Sequence, residues 1–343
     1  MGQERVRTME ELASLSGISR PTLSKFFNDP NSVRSSTRAR IEAALERYDY
    51  VPNVYAINQN RHLTRNIGIV VPFLADPFFA EVARNLELLC SGAGYNPILL
   101  SSHGDPDREV ANLDSLRGIR PAGVLLAPIG RRSHRDALDA FCGDVPTVLF
   151  DCDVAGVGDA MFGTDHFQST AMIVDYLART GEPPALFEMR DAPNPNANKR
   201  RDAYEAAMRR LGHEPMVLAV DGTGWAFEEI AHREGGRLIA EQGLPTNTVL
   251  CSNDRLAIGF LAAAYESGYR VGIGEGHALR VAGHDDHPFS RFTCPSLTTV
   301  SQDYDQIAGR SLDMLLSIVA EGARPAAKVQ TLFEASLVMR ASA

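Results

Sequence analysis

Several features are scarce in this chain of 343 residues, and each scarcity excludes a class of protein. Its apolar runs, such as Ile67–Val71, fall far short of the roughly 18 residues that a membrane span requires, and Met1–Gly17 has no apolar stretch of the kind an export signal carries. The reading is therefore a cytoplasmic protein with no membrane partner. Cysteine is sparse and scattered: Cys90, Cys142, Cys152, Cys251 and Cys294 are odd in number and form no C-x-x-C pair. That usage fits a reducing compartment better than a disulfide framework or a zinc cluster, and all five are read as buried small apolar residues. Catalytic signatures are missing too. The chain has no Gly-x-Ser-x-Gly, no Walker loop and no complete Gly-x-Gly-x-x-Gly. His284-Asp-Asp-His287 offers four metal-ligand types in a row, but consecutive residues at a strand end point in alternating directions and do not converge. The expectation is a non-enzyme with no metal and no resident cofactor.

What is present is an asymmetry of charge. Residues 1–65 hold ten Lys/Arg against seven Asp/Glu, a net of +3, and the remainder of the chain carries −12. A basic head on an acidic body suggests a polyanion partner for the head alone, although charge by itself does not separate this from chance in a short segment.

The residue pattern of the head says more. Thr8-Met-Glu-Glu11 reads as a capping box opening a helix, with Met9, Leu12, Ala13 and Leu15 near helical spacing before Ser16-Gly17. Ser19 then caps a second helix with Pro21 in its first turn, burying Ile18, Leu23, Phe26 and Phe27 and turning Arg20, Thr22, Ser24 and Lys25 mostly outward. A third helix from Ser35 to Tyr48 adds Ile41, Ala44 and Leu45 to the same small core. Two short helices around a tight turn form a helix-turn-helix, whose second helix fits a major groove; any small three-helix bundle shares the periodicity.

Met9-Glu-Glu-Leu-Ala-Ser-Leu-Ser-Gly-Ile-Ser-Arg-Pro-Thr-Leu-Ser-Lys-Phe-Phe-Asn28, followed by Val33, Thr37-Arg38, Ile41 and Tyr50-Val-Pro-Asn53, resembles the amino-terminal headpiece of the LacI/GalR family of transcriptional regulators. The resemblance continues almost to residue 343. It implies a helix-turn-helix headpiece at 1–51, a hinge helix and linker at 52–65, and an effector-binding and dimerisation core at 66–343. The core would be of the periplasmic-binding-protein type, with two α/β lobes built on parallel sheets. Lobe 1 would span about 66–160 and return after a crossover at 290–300, and lobe 2 about 161–289.

By the same resemblance Arg20, Pro21 and Lys25 face bases, while Ser19, Thr22 and Asn28 hold backbone or fold. Arg20 is suited to a guanine edge, and Pro21 offers apolar contact only. In the hinge, Asn53 and Ala56 match the family pattern, but Gln59 stands where a leucine wedge is usual. Either Gln59 hydrogen-bonds in the minor groove, or Tyr55 or Ile57 supplies the insertion.

The body reads independently as α/β. Short apolar runs at Ile67–Val71, Pro97–Leu100, Gly123–Ala127 and Thr147–Phe150, then Ala185–Phe187, Val217–Val220, Thr248–Cys251 and Leu279–Ala282, are separated by mixed stretches that suit crossover helices. The two series imply two lobes with a break at 159–165. In open α/β sheets ligands bind beyond the carboxyl ends of strands. Asp76, Phe78, Phe79, Asp151, Asn196, Arg200, Trp225, Asn253 and Asp285 sit where that rule places a ligand, and the segment Leu297–Gln302 adds Gln302. Arg200 is named because Lys199–Tyr204 resembles the family's Arg-x-x-Gly-Tyr turn, and Phe78 and Phe79 because they match the family's aromatic pair. Carboxylates, amides, one guanidinium and aromatics suit a carbohydrate, whose hydroxyls both donate and accept while its C–H face packs on a ring. The family positions of Asp151, Asn196, Arg200, Trp225, Asn253, Asp285 and Gln302 contact effectors in sugar-responsive members. The two aspartates favour a neutral polyol over a purine; a sugar phosphate stays open because Arg190, Lys199 and Arg200 are at hand.

The resulting expectation is a homodimeric, sequence-specific DNA-binding regulator. It acts on an inverted-repeat operator and represses carbohydrate-metabolism genes until a sugar or sugar derivative relieves it. Helix 79–90 is expected to contribute to the dimer face. The alternative is a stand-alone sugar-binding protein or sugar-modifying enzyme on the same two-lobe fold, which the head and the lack of an export signal disfavour.

Overall fold

The computed structural model describes residues 6, 8–28, 30–48, 50 and 64–343, with the side chain of Asn28 excepted. The chain divides into two compact units, Met1–Thr64 and Arg65–Ala343.

In the first unit, α1 (Met9–Ser16), α2 (Arg20–Asn28) and α3 (Ser35–Tyr48) enclose Leu12, Ile18, Leu23, Phe26, Ile41 and Ala44, with Val6 and Tyr50 closing the ends. The capping box forms: the Glu11 N–H donates to Thr8 Oγ1 at 3.2 Å, and the Thr8 N–H donates to the Glu11 carboxylate at 3.3 Å. Gly17 ends α1 at φ 65°, a left-handed conformation that glycine adopts without Cβ strain. The side chain of Leu15, expected on the apolar face, is 46% exposed because it sits off the Leu12 stripe, and Phe27 is only half-buried.

The second unit holds two parallel sheets. Lobe 1 has six strands in the order β11-β5-β4-β3-β1-β2, comprising β1 (Asn66–Val71), β2 (Asn96–Ser101), β3 (Gly123–Leu126), β4 (Thr147–Phe150), β5 (Ala160–Thr164) and β11 (Val329–Phe333). Its helices are α4 (Pro77–Gly92), α5 (Pro106–Ile119), α6 (Arg135–Asp144) and α11 (Tyr304–Glu321), the last packing against α4 and against β3 to β5. Lobe 2 has four strands in the order β7-β6-β8-β9, comprising β6 (Ala185–Met189), β7 (Val217–Val220), β8 (Thr248–Cys251) and β9 (Arg280–Ala282). Around it lie α7 (His166–Thr180), α8 (Asn196–Arg210), α9 (Phe227–Glu241) and α10 (Asp254–Glu266). A two-stranded antiparallel ribbon of β10 (Thr299–Ser301) and β12 (Ser336–Val338) completes the unit.

Each expected run is a strand, within a residue or two at the ends. The segment 159–165, read as a break, instead carries β5, which pairs with β4 and β11, so the first sheet runs on through Thr164. Four of the cysteines are buried, but Cys294 is exposed, which corrects the reading of all five as core residues.

Candidate functional site

In the headpiece, Ser19 sits immediately before α2; its hydroxyl lies 2.7 Å from that of Thr22, and its carbonyl accepts the Leu23 N–H at 3.0 Å. These two side chains hold the helix start, as a capping role requires. Arg20, Pro21 and Lys25 are exposed on α2. The Arg20 guanidinium lies 2.9 Å from the Glu10 carboxylate, a pair in which both side chains are more than 60% exposed. Such a surface pair is worth little and yields readily to a stronger acceptor. Asn28 ends α2, while Asn53, Tyr55, Ala56, Ile57 and Gln59 lie outside the described residues.

In the core, one cavity between the lobes is lined by Asp76, Phe78, Phe79, Asp151, Asn196, Arg200, Trp225, Asn253, Asp285 and Gln302. Every cleft residue selected from the sequence is therefore in a single place. The strand-end rule explains the convergence: β1, β4, β6, β7, β8 and β9 all point their carboxyl ends at the cleft, and each delivers one or more of these side chains. The space left inside is small, ≈ 30 Å³.

At its floor, Arg200 is held on three sides. Its Nη2 donates to Asp285 Oδ1 at 2.7 Å, Nη1 to the Ser252 carbonyl at 2.6 Å, and Nε to His166 Nδ1 at 3.4 Å. Asp285 also accepts from Gln302 Nε2 at 2.7 Å, and Gln302 in turn accepts from the Thr164 hydroxyl. Burial favours the neutral acid, but the Arg200 charge and the His284 contact outweigh it and hold Asp285 well below the ordinary carboxylate range. Burial and Arg200 push both His166 and His284 down, His284 to about 4, so both rings are neutral near pH 7.

Asp151 behaves oppositely. Burial raises its carboxyl to about 7, only partly offset by the charges of Arg200 and Lys199. Asn196, at the first turn of α8, donates from Nδ2 to both the Asp151 carbonyl (3.1 Å) and Oδ1 (2.9 Å), leaving its own buried Oδ1 without a partner. Asn196 and Arg200 lie one helical turn apart and so face the cleft together. Asp151 and Asp285 both adopt positive φ, 64° and 127°, a strained placement for residues with a Cβ that concentrates at functional sites.

The lobes meet through two contacts that sequence did not reveal. Trp225 of lobe 2 stacks on Phe73 of lobe 1, with centroids 5.2 Å apart and planes at 12°, and meets Phe79 edge-on. Arg255 of lobe 2 reaches Asp76 of lobe 1 at 3.2 Å, while Glu228 grips its other nitrogens at 2.6 Å each. Asp76 and Asn253 do double duty as helix caps, accepting from the N–H groups of Phe78 and Leu256. The four residues His284–His287 do not gather on one point, although His284 Nδ1 lies 3.3 Å from Asp285 Oδ1. His284 turns to Ser169, Asp285 to Arg200, Asp286 to Arg340, while His287 lies against Asp76.

Comparison with known proteins agrees with this architecture. Residues 8–53 match the family described as "Bacterial regulatory proteins, lacI family", and residues 171–343 match a periplasmic binding protein-like domain. The chain belongs to the LacI/GalR family. Its LacI/GalR relatives include the ribose operon repressor of Escherichia coli (strain K12), 27% identical over 316 residues that cover 92% of this chain and 93% of that protein. The transcriptional repressor PurR of Mannheimia succiniciproducens is 28% identical over 319 residues, covering 91% and 92%. Among solved structures, the lac repressor dimer bound to operator and an anti-inducer superposes with a TM-score of 0.83 at 24% identity, over 99% of each chain. Like these repressors, the chain is a DNA-binding transcriptional regulator and not an enzyme. Among the described residues no helix is long and apolar enough to cross a membrane.

Proposed function

We propose that this regulator is a cytoplasmic, homodimeric repressor of carbohydrate-metabolism genes, and that a carbohydrate bound between its lobes changes its affinity for an inverted-repeat operator. The observation that carries the effector reading is the convergence of side chains from six strand ends on one cavity. Their chemistry matches a polyol: the Asp151 carboxyl is poised to donate or accept, and the buried Asn196 oxygen awaits a donor. Arg200 and Asp285 balance each other's charge, and the rings of Phe78, Phe79 and Trp225 give an apolar wall. A purine gains less from so many oxygen acceptors. No resident cofactor enters the scheme; the ligand is exchangeable.

Pairing of two chains is supported by Leu88 and Leu89 of α4, which are 55% and 42% exposed, and by the dimeric state of the lac repressor relative. Two recognition helices on one operator then read half-sites about one DNA turn apart. Effector and DNA binding are joined by a coupling free energy, typically about 1–3 kcal/mol, which acts equally in both directions. A thermal-shift screen against sugars, sugar alcohols, sugar phosphates and purines tests the effector class. Stabilisation by carbohydrates, lost in Asn196→Ala, is expected; stabilisation by purines alone would refute the reading.

A further inference from the structure

Beside the central cavity lies a second recess of ≈ 390 Å³, walled by Arg131 and Arg132 from lobe 1 and by Arg190, Asn198, Thr223 and Gly224 from lobe 2. The two spaces adjoin. Ala192 lines both, Pro195 of the recess sits between Asn194 and Asn196 of the cavity, and Gly224 precedes Trp225. The lobes touch at this edge: a Cβ on Gly130 would stand 2.5 Å from Pro195 Cγ, so the loop bearing Arg131 lies directly against the start of α8.

The availability of cations separates the two spaces. The guanidinium that lines the cavity is committed, Arg200 through all three of its nitrogens, and Arg255 beside it is held by Glu228 and Asp76. An anionic group there would meet the carboxylates of Asp76 and Asp285 beside a guanidinium that is already engaged. In the recess, Arg131 and Arg132 make no hydrogen bond or ion pair among the described residues. Arg190 uses Nε on Asp221 and Nη2 on the Ala219 carbonyl, which steadies the group and leaves Nη1 without an acceptor. Asp191 is the one acid lining the recess. Planar guanidinium forks of this kind suit phosphoryl and carboxylate oxygens.

We propose that the recess is an anion subsite of the effector cleft, so that the effector is a carbohydrate bearing a phosphoryl or carboxylate group, its hydroxyls in the cavity and its charge at Arg131, Arg132 and Arg190. The proposal rests on the reading of the cavity as a carbohydrate site. Because Arg131 and Arg132 come from one lobe and Arg190 from the other, the anion ties the lobes together at their edge.

The test is calorimetric titration of the full chain with matched sets: ribose, ribose 5-phosphate and ribonate; glucose, glucose 6-phosphate and gluconate. An anionic member is expected to bind at least about tenfold more tightly than its parent sugar. Phosphate esters against sugar acids decide which anion the subsite takes. Arg131→Ser with Arg132→Ser, both at exposed positions, should erase the advantage and leave the parent sugar within about twofold. The advantage should also shrink between about 50 and 300 mM salt, as for solvent-reached charges. If parent sugars bind, and Asn196→Ala weakens them, while their anionic forms bind no better or the double variant keeps the preference, the subsite is wrong and the cavity reading survives. If no carbohydrate of either kind binds, both fall together.

Discussion

At the residue scale, the cleft sets two carboxylates with opposite tendencies close to one arginine. Asp151 is neutral-leaning, raised to about 7 by burial. A raised acid stabilises the fold fully below its ordinary value of 3.8, and that contribution is lost as pH climbs through about 7. Asp151→Asn keeps a neutral group at all pH, so its stability relative to the parent should rise between pH 4 and 7, by no more than about 4 kcal/mol, in urea titrations across that range. Effector affinity should likewise vary with pH near 7 in the parent and flatten in the variant. Asp285 follows the reverse sign. Its depressed carboxyl stabilises the fold above the ordinary carboxylate range, and this is lost on acidification. Arg200→Ala strands that buried charge, and a loss of about 3–5 kcal/mol is expected on chemical denaturation. Ligand loss in that variant is therefore confounded with instability, which is why Asn196→Ala is the cleaner cleft probe.

At the scale of elements, local signals carried far and tertiary ones did not. The capping box at Thr8 and Glu11, the left-handed Gly17 and the run Thr147–Phe150 are all stated by neighbouring residues, and all form as read. The cleft was legible because strands buried on both faces are plain in sequence, and polar residues just past them mark the ligand end. β5 was missed because Ala160–Thr164 is short and holds Gly163, and β11 because its exposure alternates at a sheet edge. His166, which follows β5, was lost with it. Phe73 and Arg255 were missed because their contacts with Trp225 and Asp76 form across the lobes. The α9–α10 contact was equally hidden: a Cβ on Gly259 would lie 2.2 Å from the Glu228 carbonyl and 2.9 Å from Ala231. Gly259→Ala should cost at least about 1–3 kcal/mol in thermal unfolding and displace Glu228 from Arg255. On α2, Lys25→Ala should weaken operator binding in footprinting and relax base choice, with unchanged core stability.

At the scale of the whole molecule, the lobes are keyed to each other by aromatic stacking and by glycines that admit the opposing lobe. A Cβ on Gly104 would stand 2.4 Å from Trp225 Nε1. Gly104→Ala should therefore hold the lobes apart and weaken ligand binding without touching the ligand. Trp225 is the single tryptophan, so its intrinsic emission reports closure directly, and ligand should shift it in the parent more than in the variant. This closure and DNA binding are expected to share one free energy. The most direct test is fluorescence anisotropy of the full chain on an operator recovered by selection from random DNA, titrated with and without the effector found by calorimetry, with the reciprocal titration of effector with and without operator. An inverted-repeat operator bound by two chains and weakened by effector is expected, with the same factor, about 5–150-fold, in both titrations. An operator affinity that does not change when the cleft is saturated would contradict it.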